Sequence, residues 1–325
     1  MARRSAASSV SSPPQDMRVW LALGAIYLIW GSTYLAIRLM VETVPPALGA
    51  GVRFVAAGVA MLGLLAARRG GVRALRVTRS QLLWCAVVGS LLAAGGNGLV
   101  TIAERDVPSG LAALLIASEP LWIVLLRGLT RDRVAGMTIG GVALGFVGVG
   151  VLLLPGGRPD DVPIGMALLI LVAALSWAVG SFISPRVDLP RDPLTSTAWS
   201  LLIGGAVLVA GGLLAGEGAE FDLGAFSAKS IAALVYLVVV GSIVAFSCYA
   251  WLLGNAPISK VSTYAYVNPV IAVILGAVFL SERVAAATVA GMALVVASVF
   301  VIVRHEASEL HEETESATVR VSSRN

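Results

Sequence analysis

Ten stretches of mostly apolar residues fill the chain between residues 19 and 303, separated by short polar connections. Each stretch is about 18 to 25 residues long, enough for a helix to cross a hydrocarbon core of about 30 Å. Uninterrupted apolar runs exclude the alternating pattern of a transmembrane barrel. The pattern predicts an all-α membrane protein with ten transmembrane helices, over residues 19–39, 47–67, 81–103, 108–127, 134–154, 163–184, 193–215, 229–253, 256–280 and 285–303.

The composition agrees with a membrane protein. Hydrophobic residues make up 58% of the 325-residue chain, charged residues only 13%, and the mean hydropathy is +0.89, which a single water-soluble core could not accommodate. The net charge of +4 lies in short connections and not on one face, so no nucleic-acid partner is expected. Cys85 and Cys248 lie in different apolar stretches without metal-ligand spacing, so we expect no metal site and no cofactor.

The distribution of basic residues predicts the orientation. With the N-terminus inside, sixteen Lys and Arg residues fall on inner segments and five on outer segments, and Arg53 and Lys260 lie within spans. Short loops rich in Lys and Arg stay in the cytoplasm. We therefore expect a multi-pass protein of the cell inner (cytoplasmic) membrane, with both termini cytoplasmic and membrane lipids as its surroundings.

The two ends of the chain differ from the rest. Residues 1–17 are rich in Ser, Ala and Pro and are predicted to be a disordered cytoplasmic tail. Residues 304–325 form an acidic cytoplasmic tail, which could be a short surface helix or disordered. The tail holds His305 and His311, whose glutamate neighbours indicate a solvated segment more simply than a metal site.

The two halves of the chain resemble each other at a spacing close to 149 residues. This spacing pairs Pro108 with Pro257 and Pro120 with Pro269, and predicts a first five-helix repeat over 18–155 and a second over 163–303. Five is an odd number, so the second repeat enters the membrane in the opposite orientation. Two inverted five-helix repeats around a central cavity are the architecture of a carrier.

The same pairing matches two polar residues at the depth of the bilayer midplane. Glu119 and Asn268 each lie about 11 residues into their spans, or about 16 Å at the helical rise, and each precedes a proline. Pro120 and Pro269 cannot donate a backbone hydrogen bond, so both helices are predicted to kink and to free carbonyl oxygens. A packing kink is the alternative for either site alone, but a symmetric pair favours a substrate-binding role.

Further polar and aromatic residues are candidates for the same binding site. Arg53 is costly in a membrane and lies within reach of Glu119, as a structural ion pair or as an anion-binding and gating group. Asn97 lies among glycines in the outer half of its span. The aromatic candidates, which packing would also explain, are Trp30, Tyr34, Trp177, Tyr249, Tyr264 and Tyr266.

Several motifs together resemble the EamA family of the drug/metabolite transporter superfamily. They are Y-L-I-W-G-S-T-Y-L-A-I-R, V-R-F, S-E-P, and Y-A-Y-V-N-P-V-I-A-V-I-L-G followed by L-S-E-R, spread over about residues 20 to 303. The resemblance implies an exporter of small metabolites, amino acids or drug-like compounds, with site residues at Trp30, Arg53, Glu119, Tyr264, Asn268 and Pro269. Ser281 stands where the family has glycine in its L-G-E ending.

Other classes of function remain as alternatives. An intramembrane enzyme would need paired membrane aspartates, an H-E-x-x-H motif or a nucleophile with a histidine, and the spans contain none of these. A channel would carry a polar lining along whole spans. We expect a secondary transporter, not an enzyme, that moves a small-molecule substrate by alternating access. Glu119 is the candidate for carrying a coupling proton.

Overall fold

The computed structural model describes residues 15–130, 136–256, 258–261 and 263–322. The regular secondary structure of these residues is helical, apart from one isolated bridge between Pro155 and Arg158. The helices are α1 (Gln15–Met40), α2 (Pro46–Arg68), α3 (Arg79–Ala103), α4 (Ser109–Leu129), α5 (Gly136–Leu153), α6 (Ile164–Arg186), α7 (Pro193–Leu214), α8 (Ala228–Asn255), α9 (Tyr264–Leu280) and α10 (Ala286–Ser322).

Nine of these helices are long and apolar enough to cross a membrane, counted over the described residues. They match nine predicted spans to within a few residues, which confirms an all-helical, multi-pass membrane protein. The prediction of one continuous ninth span over 256–280 is wrong: a short helix, Ile258–Val261, precedes α9, whose apolar part is Val267–Leu280. Most of the predicted N-terminal tail, residues 1–14, lies outside the described residues.

The acidic segment after residue 303 is helical in backbone as far as Ser322, because α10 continues without a break. This agrees with the helical alternative for that segment. The side chains of His305 and His311 lie outside the described part of the chain, so the structure leaves their interpretation as a prediction.

Three helices depart from regular α geometry in their middle. α4 is divided into Ser109–Ile116 and Glu119–Leu129, with a turn at residues 117 and 118. α3 and α8 contain π-helical segments, Ser90–Gly98 and Val239–Val244, whose first residues are 149 positions apart. π-Helical turns are rare and concentrate at functional sites. These three irregular segments therefore mark the part of the fold where function is expected.

Helix packing follows one pattern in both halves of the molecule, α1–α5 and α6–α10. The most extensive contacts join α2 to α7 and α5 to α10, and each of these pairs takes one helix from each half. α1 packs against α8 and α9, and α6 packs in the corresponding way against α3 and α4. Exchanging each helix for the one five places later therefore reproduces the set of main contacts.

Glycines allow the close approach of helices from opposite halves. A Cβ atom at Gly204 of α7 would lie 2.3 Å from the carbonyl oxygen of Gly89 in α3. In α5, Gly141, Gly145 and Gly148 face α10 in the same way, but Gly140 has no neighbour within 4 Å. Small residues at helix crossings are the usual device by which membrane helices pack without a hydrophobic driving force.

Polar contacts join connections from the two halves at each end of the molecule. At the end that we call the Asp192 end (connections 69–78 and 187–192), Arg69 forms an ion pair of 3.0 Å with Asp192. The opposite end, the Glu104 end (connections 41–45, 104–108, 215–227 and 281–285), contains the ion pairs Lys229 with Glu42 and Arg105 with Glu220.

Two carboxylates at the Glu104 end cap helices of the other half. Glu217 accepts hydrogen bonds from the backbone N–H groups of Ala47 and Leu48, at the start of α2. Glu282 accepts from the N–H groups of Ser109 and Gly110, at 2.8 and 3.0 Å, at the start of α4. The first N–H groups of a helix lack partners within the helix, so an anionic side chain there stabilises it.

We expect Gly204→Ala to lower the melting temperature of the purified protein. The added methyl group would meet backbone of Gly89 at 2.3 Å and force α3 and α7 apart, a change of the overpacking kind that costs about 1–3 kcal/mol. The measurement is thermal unfolding in detergent followed by tryptophan fluorescence. Gly211→Ala, on the same helix with no atom within 4 Å, is the matched control. Equal melting temperatures for the two variants would contradict the packing described here.

We expect Ser281→Gly to stabilise the protein. Ser281 ends α9 in the left-handed region, with φ 54° and ψ 31°. That conformation costs an L-residue about 1–2 kcal/mol, whereas glycine adopts it freely. The same unfolding measurement should show an increase in melting temperature for Ser281→Gly. Ser281→Ala should show no increase, because alanine keeps the strained conformation. A decrease with glycine would show that the serine side chain stabilises this turn.

Candidate functional site

A cavity of about 90 Å³ lies where helices of both halves meet. Its wall contains eight of the ten binding residues predicted from the sequence: Trp30, Tyr34, Arg53, Asn97, Glu119, Trp177, Tyr264 and Asn268. Tyr249 is not part of this wall but contacts two residues that are. The side chain of Tyr266 lies outside the described residues. Helices that are distant in sequence thus bring most of the candidates to one place.

The paired residues Glu119 and Asn268 reach this cavity from opposite halves. Glu119 is the first residue of the second part of α4, directly after the turn at residues 117 and 118. The indole N–H of Trp177 in α6 is close enough to the Glu119 carboxylate to interact with it. Asn268 is 7% exposed, and its Oδ1 atom has no hydrogen-bond partner among the described residues. A buried acceptor without a partner costs free energy, so a carboxamide here is better explained by a ligand than by stability.

The two prolines occupy different positions in their helices. Pro120 lies in the first turn of the second part of α4, where a missing N–H costs nothing. Pro269 lies inside α9, which continues from Tyr264 to Leu280. Of the two predicted interruptions, only the one in α4 divides the helix into two parts. The predicted kink at Pro269 stays a prediction.

Arg53 is 2% exposed and is held by α8. Its Nε donates to Ser242 Oγ at 3.0 Å, and its Nη2 lies 3.5 Å from the carbonyl oxygen of Gly241; both partners belong to the π-helical segment. Nη1 has no partner within the described part of the chain. No ion pair joins Arg53 to Glu119 in that part, so the structural ion pair that the sequence allowed is not formed. The alternative, an anion-binding and gating role for Arg53, stays a prediction.

The π-helical segment of α3 also faces the cavity. Gly96 and Asn97 line the wall, and Asn97 Nδ2 donates to the carbonyl oxygen of Leu92 at 3.4 Å. A Cβ atom at Gly96 would lie 2.8 Å from the Trp177 ring, so glycine is needed for that indole to reach Glu119. Both π-helical segments therefore position polar groups of the cavity.

Aromatic rings form the side of the cavity toward α8. The Trp30 ring centroid lies 5.6 Å from Phe246, 5.2 Å from Tyr249 and 5.1 Å from Tyr264, at the tilted and edge-on angles that aromatic pairs favour. Phe246 was not among the predicted residues. It follows the π-helical segment of α8, and in the sequence nothing distinguishes it from the lipid-facing apolar residues around it.

A wider cleft of about 530 Å³ adjoins the cavity. The two share Asn97, Trp177 and Phe246, and the cleft extends to Leu189 and Pro190 in the connection between α6 and α7. The cavity is therefore approached from the Asp192 end. Toward the Glu104 end, the buried residues of α3 and α4 pack in one continuous apolar cluster.

A second buried carboxylate, Glu104, was missed by the sequence reasoning. It directly follows α3 and is 0% exposed. Burial raises the pKa of its carboxyl well above the usual value, and Glu282 raises it further, whereas Arg38 and Arg53 lower it. In the sequence, Glu104 stands beside Arg105 at the end of an apolar stretch, which is also the pattern of a solvated loop.

A helical membrane protein with a buried polar cavity between its two halves is the class that this fold and site define. The sequence profile of the EamA-like transporter family matches residues 18–154 and 164–304. The chain belongs to the EamA-like transporter family. The two matched stretches divide the chain between α5 and α6, and the family name indicates a transporter and not an enzyme.

Individual proteins show the same relationship. The chain is 41% identical over 257 residues to the "Uncharacterized inner membrane transporter YedA" of Escherichia coli K12, covering 78% of this chain and 80% of that protein. It is 25% identical over 284 residues to the "Probable amino-acid metabolite efflux pump" of Salmonella typhimurium LT2, covering 85% and 91%. A solved crystal structure with 22% identity shares the fold, with a TM-score of 0.60 over 88% of this chain and 97% of the other.

We expect Asn268→Leu to raise the melting temperature while it removes substrate binding. Leucine is similar in size and leaves no orphaned acceptor, so the folded state gains about 1 kcal/mol. The measurement is thermal unfolding in detergent, paired with transport in reconstituted vesicles. Thr101→Val, at a buried residue whose hydroxyl donates to the carbonyl oxygen of Asn97, is the control and should lose stability. A destabilised Asn268→Leu variant would show that the carboxamide serves the fold.

Proposed function

We propose that this protein is a secondary transporter that exports small zwitterionic metabolites, of the amino-acid class, by alternating access. One observation carries the proposal: the central cavity gathers a carboxylate, a guanidinium group and a carboxamide from both halves, and two of these groups have atoms without hydrogen-bond partners among the described residues. Groups of this kind are expensive inside a membrane and mark substrate pathways.

The chemistry of the wall supports the substrate class. The unpaired Nη1 of Arg53 is suited to a carboxylate, Glu119 is suited to an ammonium group, and the rings around Trp30 are suited to an apolar side chain. The name of the Salmonella relative, an amino-acid metabolite efflux pump, points to the same class and to export. A cavity of about 90 Å³ restricts the substrate to a small molecule in this conformation.

Two related halves supply the mechanism. The first half contributes five membrane helices, so that α6 enters the membrane from the side opposite to α1, and the main helix contacts are reproduced when the halves are exchanged. The π-helical segments of α3 and α8 begin 149 residues apart, at the spacing that also relates Glu119 to Asn268. These features favour an inverted repeat, which provides two equivalent packings around a midplane site.

The excess of Lys and Arg in alternate connections supports the inner membrane with both termini in the cytoplasm. In that orientation the Asp192 end is cytoplasmic and the Glu104 end is periplasmic. The cleft that adjoins the cavity then opens toward the cytoplasm. This conformation is the one in which an exporter takes up its substrate, and YedA is likewise named an inner membrane transporter.

The polar groups argue against the alternatives of channel and enzyme. A channel has a polar lining along the whole pore, whereas the path here ends in the apolar cluster between α3 and α4. An intramembrane hydrolase needs a nucleophile beside a base. The group that interacts with the Glu119 carboxylate is an indole N–H, which is neither a nucleophile nor a base.

We expect purified protein in proteoliposomes to show saturable counterflow with a labelled mixture of the twenty protein amino acids. Glu119→Gln should lower that counterflow at least about tenfold, because a buried charge-assisted contact to an ammonium group contributes about 1.5–3 kcal/mol. Glu220→Gln, an exposed carboxylate at the Glu104 end, is the control and should transport like the unchanged protein. Uptake that increases linearly with concentration would indicate a channel, and the absence of counterflow for every amino acid would exclude the proposed substrate class.

A further inference from the structure

Glu104 is a buried ionisable group that does not line the cavity. It lies in the connection between α3 and α4, at the Glu104 end of the molecule, and is fully buried. Both of its carboxylate oxygens lack a hydrogen-bond partner among the described residues. An ionised carboxylate in that position would be unfavourable, because the group is fully buried and no donor among the described residues compensates its charge. A proton on the carboxyl removes this cost.

The neighbouring arginines do not solvate this carboxyl. Arg38 of α1 directs its guanidinium group to the backbone carbonyl oxygens of Glu104 and Arg105. Arg53 donates to Ser242 and Gly241 of α8. No ion pair joins Glu104 to either arginine in the described part of the chain. Both guanidinium groups are nevertheless close enough to act on Glu104 electrostatically, and they would repel a metal cation from it.

The charged and titratable groups around Glu104 come from several elements. They are Tyr34 and Arg38 from α1, Arg53 from α2, Arg105 from the same connection, and Glu282 from the segment after α9. Glu282 is itself occupied, because it caps α4 through Ser109 and Gly110. The residues of α6 in the adjoining cluster are apolar, among them Ala167 and Ile170. Of these two carboxyls, Glu104 is therefore the one without a hydrogen-bond donor among the described residues.

The position of Glu104 relates it to opening of the Glu104 end. The connection that contains it leads into α4, whose first N–H groups are held by Glu282 of the other half. The ion pair of Arg105 with Glu220 is exposed and contributes little to this contact. Tyr34 lines the cavity and interacts electrostatically with both Glu104 and Glu119. If the halves separated at this end, Glu104 would meet water and its carboxylate would no longer be costly.

We propose that Glu104 is the proton-binding site that couples transport to the proton gradient: it takes a proton from the periplasmic side before that end closes, and releases the proton toward the cavity when substrate binds. The proposal rests on the proposed function and adds its coupling ion. One O–H bond forms on the periplasmic side and the same bond breaks on the cytoplasmic side, so one proton enters for each cycle that exports substrate.

The sign of the pH dependence follows from this cycle. The closed state holds Glu104 neutral, whereas the state open to the periplasm exposes it. Acidic medium on the periplasmic side therefore favours closure, and closure becomes unfavourable as the pH rises through the value at which buried Glu104 loses its proton. Return of the empty carrier should slow in alkaline periplasmic medium. Glu104→Gln, which resembles the protonated form, should make that step independent of pH.

The first experiment detects the proton directly and needs no substrate. Infrared spectra of the full-length protein in lipid at neutral pH should contain the carbonyl band of a protonated carboxylic acid. Difference spectra between mildly acidic and mildly alkaline buffer help to isolate this band. Glu104→Gln should remove this band, and Glu220→Gln, an exposed carboxylate of the same end, should leave it. If Glu104→Gln removes only a carboxylate band at neutral pH, Glu104 is ionised and the proposal is wrong.

The second experiment tests coupling in proteoliposomes with the labelled mixture of the twenty protein amino acids. A pH gradient should drive their accumulation by the unchanged protein. Glu104→Gln and the apolar variant Glu104→Met should lose this accumulation but keep counterflow, which shows that they fold. Glu220→Gln should keep both activities. Counterflow without accumulation in the unchanged protein would overturn the coupling and leave the proposed function standing.

Two other outcomes separate the remaining possibilities. If Glu119→Gln keeps counterflow but loses accumulation, while Glu104→Gln keeps both, the coupling proton is bound at Glu119 and the proposal for Glu104 is wrong. If no amino acid shows counterflow, the proposed function fails. The infrared measurement then still decides whether Glu104 holds a proton in the closed state.

Discussion

A polar group inside a membrane must find a partner within the protein, because lipid offers none. Most of this chain meets the requirement with regular helices, whose backbone groups bond to one another. The departures lie in the middle of three helices: the turn at residues 117 and 118 of α4, and the π-helical segments of α3 and α8. All three adjoin the central cavity or hold a side chain that lines it. The irregular backbone is therefore placed where polar groups converge.

Stability and binding are assigned to different parts of this fold. The pairs α2 with α7 and α5 with α10 are held by close backbone approach at glycines, and the caps at Glu217 and Glu282 hold the Glu104 end. None of these contacts requires the polar residues of the cavity. Asn268 Oδ1 and Arg53 Nη1 can therefore remain without partners among the described residues, because the surrounding helices supply the free energy that keeps them in place. Unsatisfied groups held in this way suit the proposed binding role.

The sequence allowed the helices and most cavity residues to be predicted, because hydropathy and helical rise fix depth in a membrane. It could not reveal the π-helical segments, which depend on packing between helices. For the same reason the partner of Arg53 was not predictable: Ser242 reaches the guanidinium group only because α8 is locally unwound. The break before α9 was missed since residues 256–280 are apolar throughout, and length alone does not distinguish one helix from a short helix followed by a longer one.

Glu104 shows most clearly what a linear pattern cannot give. Its position one residue beyond α3 is typical of an exposed loop, and only the approach of Arg38, Tyr34 and Glu282 from two other segments makes it a buried group. The two buried carboxyls among the described residues then differ in surroundings and not in chemistry. Glu119 interacts with the Trp177 indole and faces the cavity, which suits a group that meets a charged ligand. Glu104 has no donor among the described residues and does not line the cavity, which suits a group that changes its own charge when the halves move.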